Sequence, residues 1–464
     1  MIKRPMEKRF GLLGERLEHS FSPQIHALLG GYEYRLYEIA PSGLDAFMIE
    51  RRFDGINVTI PYKQAVIPYC ARLSDEARKI GSVNTIIKDA DGLLSGHNTD
   101  YFGFYTMLEH ANIDPSGKKA LVLGDGGAAR TVRAVLAGAG AREIVTLSRR
   151  GEDNYNNVDR HFDADIIVNT TPVGMYPDNG NSPLSLTGFT RLCGVADLIY
   201  NPMRTKLLLE AERLGVNRAN GLIMLVAQAE AASRLFTGEP SHPAISASLA
   251  NTAHQANPAH PVHPANPVHP AYPAHPAQPG EPSHPAHPGQ TGAIAAAIAA
   301  RTRNIAIIGM PGSGKSTLGR LLAQKEGRPF SDTDALIQKA AGKPIAKIFE
   351  EDGESAFRKL ETAVLADEAK KSGIVIATGG GVVTRPENLD LLRQNSLIIY
   401  LKRELSGLAT YGRPLSTSTG VRTLADQRLP LYESWRDAAV SAISGDPEAT
   451  AEMALKIINE VRGG

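Results

Sequence analysis

The residues with the clearest chemical meaning lie at positions 309–316, in the run GMPGSGKS. This run fits the pattern G-x-x-x-x-G-K-S and lies between a predicted strand, NIAIIG, and a predicted helix. In such a loop the backbone N–H groups surround nucleotide phosphates, the lysine contacts the β and γ oxygens, and the serine binds Mg²⁺. A switch GTPase would share the loop, but its guanine signature N-K-x-D is absent from this half of the chain. We expect nucleotide contacts from Gly312, Ser313, Gly314, Lys315, Ser316 and Thr317.

A second glycine-rich turn lies in the first half of the chain. The predicted strand ALVLG leads through GDGGAA, at residues 124–129, into a predicted helix, which is the G-x-G-x-x-A fingerprint of a dinucleotide site. An NAD site would carry an acidic residue about 20 residues further on. This chain has Ser148, Arg149 and Arg150 there, which suit a 2′-phosphate, so we predict NADP. The expected contacts are Gly124, Asp125, Gly126, Gly127, Ala128, Ser148 and Arg149.

Polar residues lie at the ends of other predicted elements of the first half. Ser20 and Ser22 precede a helical run, where hydroxyls can bind a carboxylate or phosphate or simply cap the helix. The predicted strand GINVTI places an amide and a hydroxyl on one face, which is unusual for a core. Asn57 and Thr59 supply these two groups, and Lys63 follows them. Asn84 and Asp100 lie at the ends of other predicted strands, although a lone Asp after Asn-Thr would also fit a turn.

Charged residues follow the phosphate loop. Asp332 and Asp334 come after a second short strand, where one carboxylate could hold Mg²⁺-bound water and the other could accept a proton from a substrate hydroxyl. The same S-D-T-D segment also fits a helix cap. Arg358 and Glu361 share one predicted helical face at i, i+3, so the acid can hold the guanidinium.

Three further features of the second half could surround a small substrate. Gly379, Gly380 and Gly381 end a predicted strand and offer backbone without side chains. The small, polar segment at 405–420 has the composition of a mobile lid and contains Arg413. Arg428 is predicted at a helix start.

A proline repeat separates these two sets of motifs. Every third residue from Pro258 to Pro288 is proline, which predicts a polyproline II spacer that would span about 100 Å over 256–288 and hold the two halves apart. Six histidines occupy the middle position of its triplets, and consecutive middle positions are about 9 Å apart along the axis. Zinc needs ligand nitrogens about 2 Å from one ion, so we favour a polar, uncharged spacer over a metal site.

The composition excludes several function classes. The chain has 464 residues, enough for about three domains. Its 50 basic and 49 acidic residues indicate neither a nucleic-acid nor a membrane partner. Two cysteines, no secretory signal and no long apolar run predict a cytoplasmic protein. The oligomeric state stays open.

The motifs of the first half resemble those of the shikimate dehydrogenases. The shared segments are H-S-F-S-P, N-V-T-I-P-Y-K, S-V-N-T, N-T-D, G-D-G-G-A-A-R, N-T-T-P-V-G-M, D-L-I-Y-N-P and G-L-I-M-L-V-A-Q. The resemblance implies that Ser20 and Ser22 bind the substrate carboxylate and that Lys63 and Asp100 are the catalytic pair. It implies that Gly221 contacts the cofactor. Further substrate contacts are implied for Asn57, Thr59, Asn84, Tyr200 and Gln228.

The second half resembles the shikimate kinases over about residues 303–462. The resemblance implies that Asp334 contacts the 3-hydroxyl of shikimate and that Arg358 and Arg428 bind its carboxylate. It also implies that Arg413 contacts the transferring phosphoryl group. It places Gly380 and Gly381 at the substrate. Asp332 joins Ser316 at the metal, and the cofactors are ATP and Mg²⁺.

Both halves are therefore expected to be α/β folds with largely parallel sheets. We predict a substrate domain at 1–107 completed by 221–255, an NADP-binding Rossmann domain at 108–220, a polyproline linker at 256–292 and a P-loop kinase domain at 301–464. The expected reactions are reduction of 3-dehydroshikimate by NADPH and phosphorylation of shikimate by ATP. A quinate/shikimate dehydrogenase of wider range is an alternative for the first half. A nucleotide-binding sensor is another, although the presence of both Lys63 and Asp100 argues against it.

Overall fold

The computed structural model of the chain describes residues 8–17, 20–238, 288–408 and 420–463. Within these ranges the strands form three sheets. Most of the predicted linker lies outside the described residues, and so does Arg413. Short 3-10 helices lie at Pro41–Gly43, Ile67–Tyr69, Val158–His161, Val382–Thr384 and Leu405–Gly407.

The first sheet is mixed and has the strand order β2-β1-β3-β5-β6-β4. Its strands β1 to β6 are Phe10–Gly14, Tyr34–Glu38, Gly55–Val58, Arg72–Leu73, Thr85–Lys88 and Leu94–His97. β5 runs antiparallel to β3 and β6. The helices α1 to α4 are Ser22–Leu29, Leu44–Glu50, Asp75–Ile80 and Asp100–His110.

The second sheet is parallel and has the order β11-β10-β9-β7-β8. Its strands β7 to β11 are Lys119–Leu123, Glu143–Leu147, Ile166–Asn169, Gly194–Asp197 and Asn217–Asn220. The helices α5 to α7 are Gly127–Gly138, Lys206–Arg213 and Gly221–Thr237. All five residues of β7 are buried, as expected for a parallel strand covered on both faces. α7 packs against α4 and α1, which joins this sheet to the first one.

The third sheet is also parallel, in the order β13-β14-β12-β15-β16. Its strands β12 to β16 are Asn304–Ile308, Phe330–Asp332, Val375–Ala377, Ser396–Lys402 and Ala438–Ser441. The helices α8 to α15 are Pro288–Thr302, Lys315–Glu326, Thr333–Ala341, Ile345–Glu351, Gly353–Ala369, Glu387–Asn395, Val421–Trp435 and Pro447–Gly463. The α/β class with largely parallel sheets, predicted from the sequence, is confirmed.

Three details differ from the sequence-based expectations. The predicted linker extended to residue 292, whereas α8 already begins at Pro288, because proline is compatible with the first turn of a helix. Arg428 was expected at a helix start, but α14 begins seven residues earlier and contains Pro430 within it. The two halves were expected to be held apart, yet α8 packs against α7 and α13 packs against α6.

Candidate active sites

A cavity of about 690 Å³ lies beside the first sheet and is bounded by α1, α4 and α7. It collects every substrate-binding and catalytic residue that the sequence predicted for the first half, together with Gly221. These residues are Ser20, Ser22, Asn57, Thr59, Lys63, Asn84, Asp100, Tyr200, Gly221 and Gln228. Residues far apart in the sequence therefore share one cavity, although their individual roles stay predictions.

Lys63 and Asp100 form an ion pair at this cavity. The Lys63 ammonium lies 2.6 Å from Oδ2 of Asp100, at the start of α4. The Asp100 side chain is 9% exposed and that of Lys63 is 29% exposed. The carboxylate can therefore orient the ammonium, which remains accessible from the cavity.

Asn57 and Asn84 are held by hydrogen bonds within the protein. Asn57 accepts from the Tyr34 hydroxyl at 2.7 Å and donates to Oγ1 of Thr85 at 3.0 Å. Oδ1 of Asn84 accepts from the backbone N–H of Thr99 at 2.7 Å. Because Thr99 immediately precedes Asp100, Asn84 helps to position the Asp100 carboxylate as well as lining the cavity.

The Ser20 and Ser22 hydroxyls lie at the start of α1. The backbone N–H of Ser22, the first residue of the helix, donates to Oγ of Ser20 at 3.2 Å. Ser20 therefore accepts from one N–H of the helix start, from the position before the N-cap residue Phe21, and both serine side chains also line the cavity. One role does not exclude the other, since a hydroxyl can both accept and donate.

The sequence analysis missed two polar residues of the cavity, His26 and Arg16. His26 is 1% exposed, its Nδ1 is 2.7 Å from the Tyr32 hydroxyl, and its ring stacks on Tyr34. Burial lowers the pKa of His26 to about 3, so the ring is neutral near pH 7. A single histidine in a short helix and a single arginine in a loop have no pattern that would have identified them.

The predicted NADP site follows β7. Gly124 has a φ of 101°, and α5 begins three residues later, so the turn directs the helix N-terminus to the carboxyl end of the sheet. A separate cavity of about 530 Å³ is lined by Asp125, Arg149 and Arg150. Ser148 is 7% exposed, so the two guanidinium groups are better placed than its hydroxyl to contact a 2′-phosphate. These residues fit a phosphorylated dinucleotide.

The phosphate loop of the second half connects β12 to α9. Gly309, Gly312 and Gly314 have positive φ values of 149°, 81° and 102°, which side chains would disfavour. Nζ of Lys315 donates to the carbonyl oxygens of Gly309 and Met310, both at 2.9 Å. The loop thus curls around the ammonium, and its contacts to nucleotide phosphates stay a prediction.

A smaller cavity of about 180 Å³ adjoins this loop. It is bounded by Thr317 in the first turn of α9, Arg403 after β15, Ile443 after β16 and Pro447 at the start of α15. The planar, cationic guanidinium of Arg403 and the apolar side chains of Ile443 and Pro447 suit a nucleotide base. The sequence analysis missed this cavity, because its walls come from separate strand ends without a shared motif.

The predicted acceptor site centres on three glycines. A Cβ atom on Gly379 would lie 2.5 Å from Oε1 of Glu361 and 2.8 Å from Oδ1 of Asp334. A Cβ atom on Gly381 would overlap the Arg358 guanidinium. A Cβ atom on Gly380 would contact Pro311 of the phosphate loop at 2.6 Å. The glycine segment therefore brings the nucleotide loop and the acceptor residues close together.

The two predicted carboxylate-binding arginines are buried around this segment. Arg358 donates to Oε2 of Glu361 at 2.7 Å, so the i, i+3 pair forms as expected. Arg428 is 4% exposed and donates to the carbonyl oxygen of Gly380 at 3.2 Å. Burial lowers the pKa of Arg428 and raises the pKa of Glu361. Tyr432, which the sequence analysis missed, donates to the same carbonyl of Gly380.

Asp332 lies at the end of β13. Its Oδ1 accepts from the backbone N–H groups of Asp334 at 3.0 Å and Ala335 at 3.3 Å. It therefore caps α10, as the alternative interpretation held. Its role at a metal stays a prediction.

Comparisons with known proteins identify relatives of both halves of the chain. A model of the shikimate dehydrogenase substrate binding domain matches residues 12–86. A shikimate dehydrogenase (NADP(+)) from Caldanaerobacter subterraneus subsp. tengcongensis is 39% identical over 263 residues, which cover 50% of this chain and 92% of that protein. The chain belongs to the shikimate dehydrogenase family. Another member, from Geobacillus kaustophilus, is 40% identical over 260 residues and is covered to 94%.

The second half matches the shikimate kinase family model over residues 311–462. The chain thus joins an NADP-dependent shikimate dehydrogenase to a shikimate kinase, two enzymes of the shikimate pathway, with NADP(H) and ATP as their cofactors. A solved chorismate mutase/shikimate 5-dehydrogenase fusion from Clostridium acetobutylicum is 36% identical to this chain. The match covers 53% of this chain and 97% of the solved chain, with a TM-score of 0.48. No helix in the described ranges is long and apolar enough to cross a membrane.

Proposed function

We propose that the first half reduces 3-dehydroshikimate to shikimate with NADPH, and that the second half then phosphorylates the 3-hydroxyl of shikimate with ATP. The observation that carries the proposal is the Lys63–Asp100 pair, 2.6 Å apart at a cavity that also contains Ser20 and Ser22. A cavity with hydroxyls at one helix start and an ion pair at another suits a small hydroxylated carboxylic acid.

In the reduction, negative charge develops on the carbonyl oxygen of the substrate. The nicotinamide of NADPH supplies hydride when it is bound. The ammonium of Lys63 beside that oxygen stabilises the charge and donates the proton. Asp100 orients Lys63 and accepts a hydrogen bond from a substrate hydroxyl. Ser20 and Ser22 donate hydrogen bonds to the substrate carboxylate.

In the phosphorylation, the chain's residues bind and orient the acceptor. Arg358, held by Glu361 at 2.7 Å, and Arg428 pair with the shikimate carboxylate. Asp334 lies next to the glycine segment and accepts the proton of the 3-hydroxyl. Lys315 contacts the β and γ phosphate oxygens.

Mg²⁺ would be held by Ser316 and Asp332. Ser316 lies in the first turn of α9, which follows β12, and Asp332 is the last residue of β13. Both strands belong to the third, parallel sheet, so the two residues lie at the carboxyl edge of that sheet. Hydroxyl and carboxylate oxygens are suitable magnesium ligands. Arg413, outside the described residues, is proposed to contact the transferring phosphoryl group.

A substrate panel on the intact chain tests the proposal. We expect rapid NADPH oxidation with 3-dehydroshikimate, slower oxidation with 3-dehydroquinate, and ATP-dependent phosphorylation of shikimate but not of quinate. The Lys315→Ala variant is the matched control, since it should keep the reduction and lose the phosphorylation. Equal or faster turnover of 3-dehydroquinate would favour the quinate/shikimate alternative.

A further inference from the structure

Helix α8 lies between the proline repeat and the first strand of the kinase sheet. Only Arg303 separates its last residue from β12. By its position in the chain, α8 would belong to the kinase or to the linker. Its apolar side nevertheless packs on α1 and α7 of the dehydrogenase, in one buried cluster. The fully or nearly buried members of this cluster are Ile25, Leu222, Val226, Ala229, Ile294, Ala295 and Ile298.

A buried polar contact fixes the orientation of α8 within this cluster. Oγ1 of Thr291 donates to Oε2 of Glu230 at 2.5 Å, and the two residues are 6% and 4% exposed. The other oxygen of Glu230 accepts from Arg234 at 2.7 Å. Apolar packing alone would allow the helix to rotate or slide, whereas a satisfied buried carboxylate selects one register.

The helices that α8 contacts are the ones that carry the substrate residues. Ser22 is the first residue of α1, and Gln228 lies within α7. Ala229 and Leu225 of α7 line the substrate cavity and also belong to the cluster with α8. α8 therefore supports the wall of the cavity from behind.

The two halves also meet at a second set of contacts. Tyr176 donates to the carbonyl oxygen of Ala369 at 2.9 Å, and the backbone N–H of Arg204 donates to the carbonyl oxygen of Gln394 at 2.9 Å. Arg213 forms an ion pair with Asp390. Direct contacts of this kind place the kinase against the NADP-binding sheet.

We infer that α8 is a structural part of the dehydrogenase and positions α1 and α7 around its substrate. The proline repeat then interrupts the dehydrogenase, and the kinase follows α8 without a spacer. The two enzymes form one assembly through contacts that do not depend on the continuity of the repeat.

One experiment uses the full chain with a protease site inserted between Tyr272 and Pro273. After cleavage, we expect the two pieces to elute together in size-exclusion chromatography, with both activities within about twofold of the uncut chain. Pieces that separate while both activities persist would overturn the inference. The elution of the two pieces does not depend on the identity of the substrates, so it tests the assembly separately from the proposed function.

A second experiment perturbs α8 in the uncut chain and rests on the proposed function of the first half. Ile298→Asp places a carboxylate in the buried cluster and should displace α1 and α7, which carry substrate-binding groups. We expect the KM for 3-dehydroshikimate to rise about tenfold or more, since a misplaced substrate can cost up to about a hundredfold in catalysis. The KM for NADPH and the kinase activity of the same chain report that the other parts remain folded, and both should be unchanged. Ile298→Leu should restore the substrate KM. An unchanged substrate KM in Ile298→Asp would overturn the positioning role.

Thr291 provides a milder pair of variants. Thr291→Val removes the hydroxyl that donates to Glu230, whereas Thr291→Ser keeps it. We expect only the valine variant to raise the KM for 3-dehydroshikimate, by about threefold to tenfold, as expected for a lost buried hydrogen bond. Equal KM values for the two variants would contradict the proposed role of this contact.

Discussion

Replacing Lys63 with methionine tests the catalytic pair. Methionine keeps much of the aliphatic stem and removes the ammonium, so the cavity wall should persist. Loss of one charge-stabilising donor lowers kcat by about 10²–10³. The structure adds a second effect, because Asp100 is 9% exposed and loses the cation that lies 2.6 Å away. An unpaired polar group at this depth costs about 1–3 kcal/mol of stability, which a folded domain can tolerate.

The assay is steady-state oxidation of NADPH with 3-dehydroshikimate by Lys63→Met. Kinase activity in the same sample should be unchanged. Lys88→Met is the matched control, because Lys88 also pairs with a carboxylate, that of Asp54 at 3.3 Å, but ends β5 and does not line the cavity. A kcat for Lys63→Met equal to that of the control would remove Lys63 from the mechanism.

Three further predictions concern the cofactor, the kinase and pH. Arg149→Ala should weaken discrimination of NADP from NAD about 10- to 100-fold, measured as the ratio of kcat/KM values, and an unchanged ratio would assign the phosphate to Arg150. Lys315→Ala and Asp334→Asn should each abolish most phosphoryl transfer and spare NADPH oxidation, and robust phosphorylation by either would contradict the assignment. Burial lowers the pKa of His26 from 6.5 to about 3, so its contribution to stability should be complete above pH 6.5 and decrease as pH falls toward 3. The free energy of unfolding of the dehydrogenase can be measured in urea at pH 7 and at pH 5, with dehydrogenase activity as the signal. It should decrease less from pH 7 to pH 5 in His26→Gln than in the unmodified chain.

The elements with strong local signals were predictable. β7 and β12 are mostly apolar strands that are followed directly by glycine, and the glycine-rich turn after each of them leads into a helix. This pattern is typical of phosphate sites, so strand, turn and helix were predictable from the sequence. The Arg358–Glu361 pair was predictable because an i, i+3 spacing on a helix brings the two groups together.

Other features depend on tertiary contacts and have no local signal. Arg403, which follows β15, and Pro447, which begins α15, line the cavity beside the phosphate loop from different parts of the chain. The packing of α8 on α7 depends on Ile294 and Ile298 meeting a face that is separated from them by the repeat. The alanine-rich sequence of α8 predicts a helix, but it does not indicate against which half of the chain this helix packs.

The most direct test of the two coupled activities is a product balance on the intact chain. The chain would be incubated with 3-dehydroshikimate, NADPH and ATP labelled in the γ-phosphate, with both cofactors in excess. We predict that one labelled shikimate 3-phosphate accumulates for each NADPH oxidised, and that shikimate accumulates instead when ATP is omitted. Oxidation of NADPH without a labelled product in the presence of ATP, or no oxidation at all, would contradict the account.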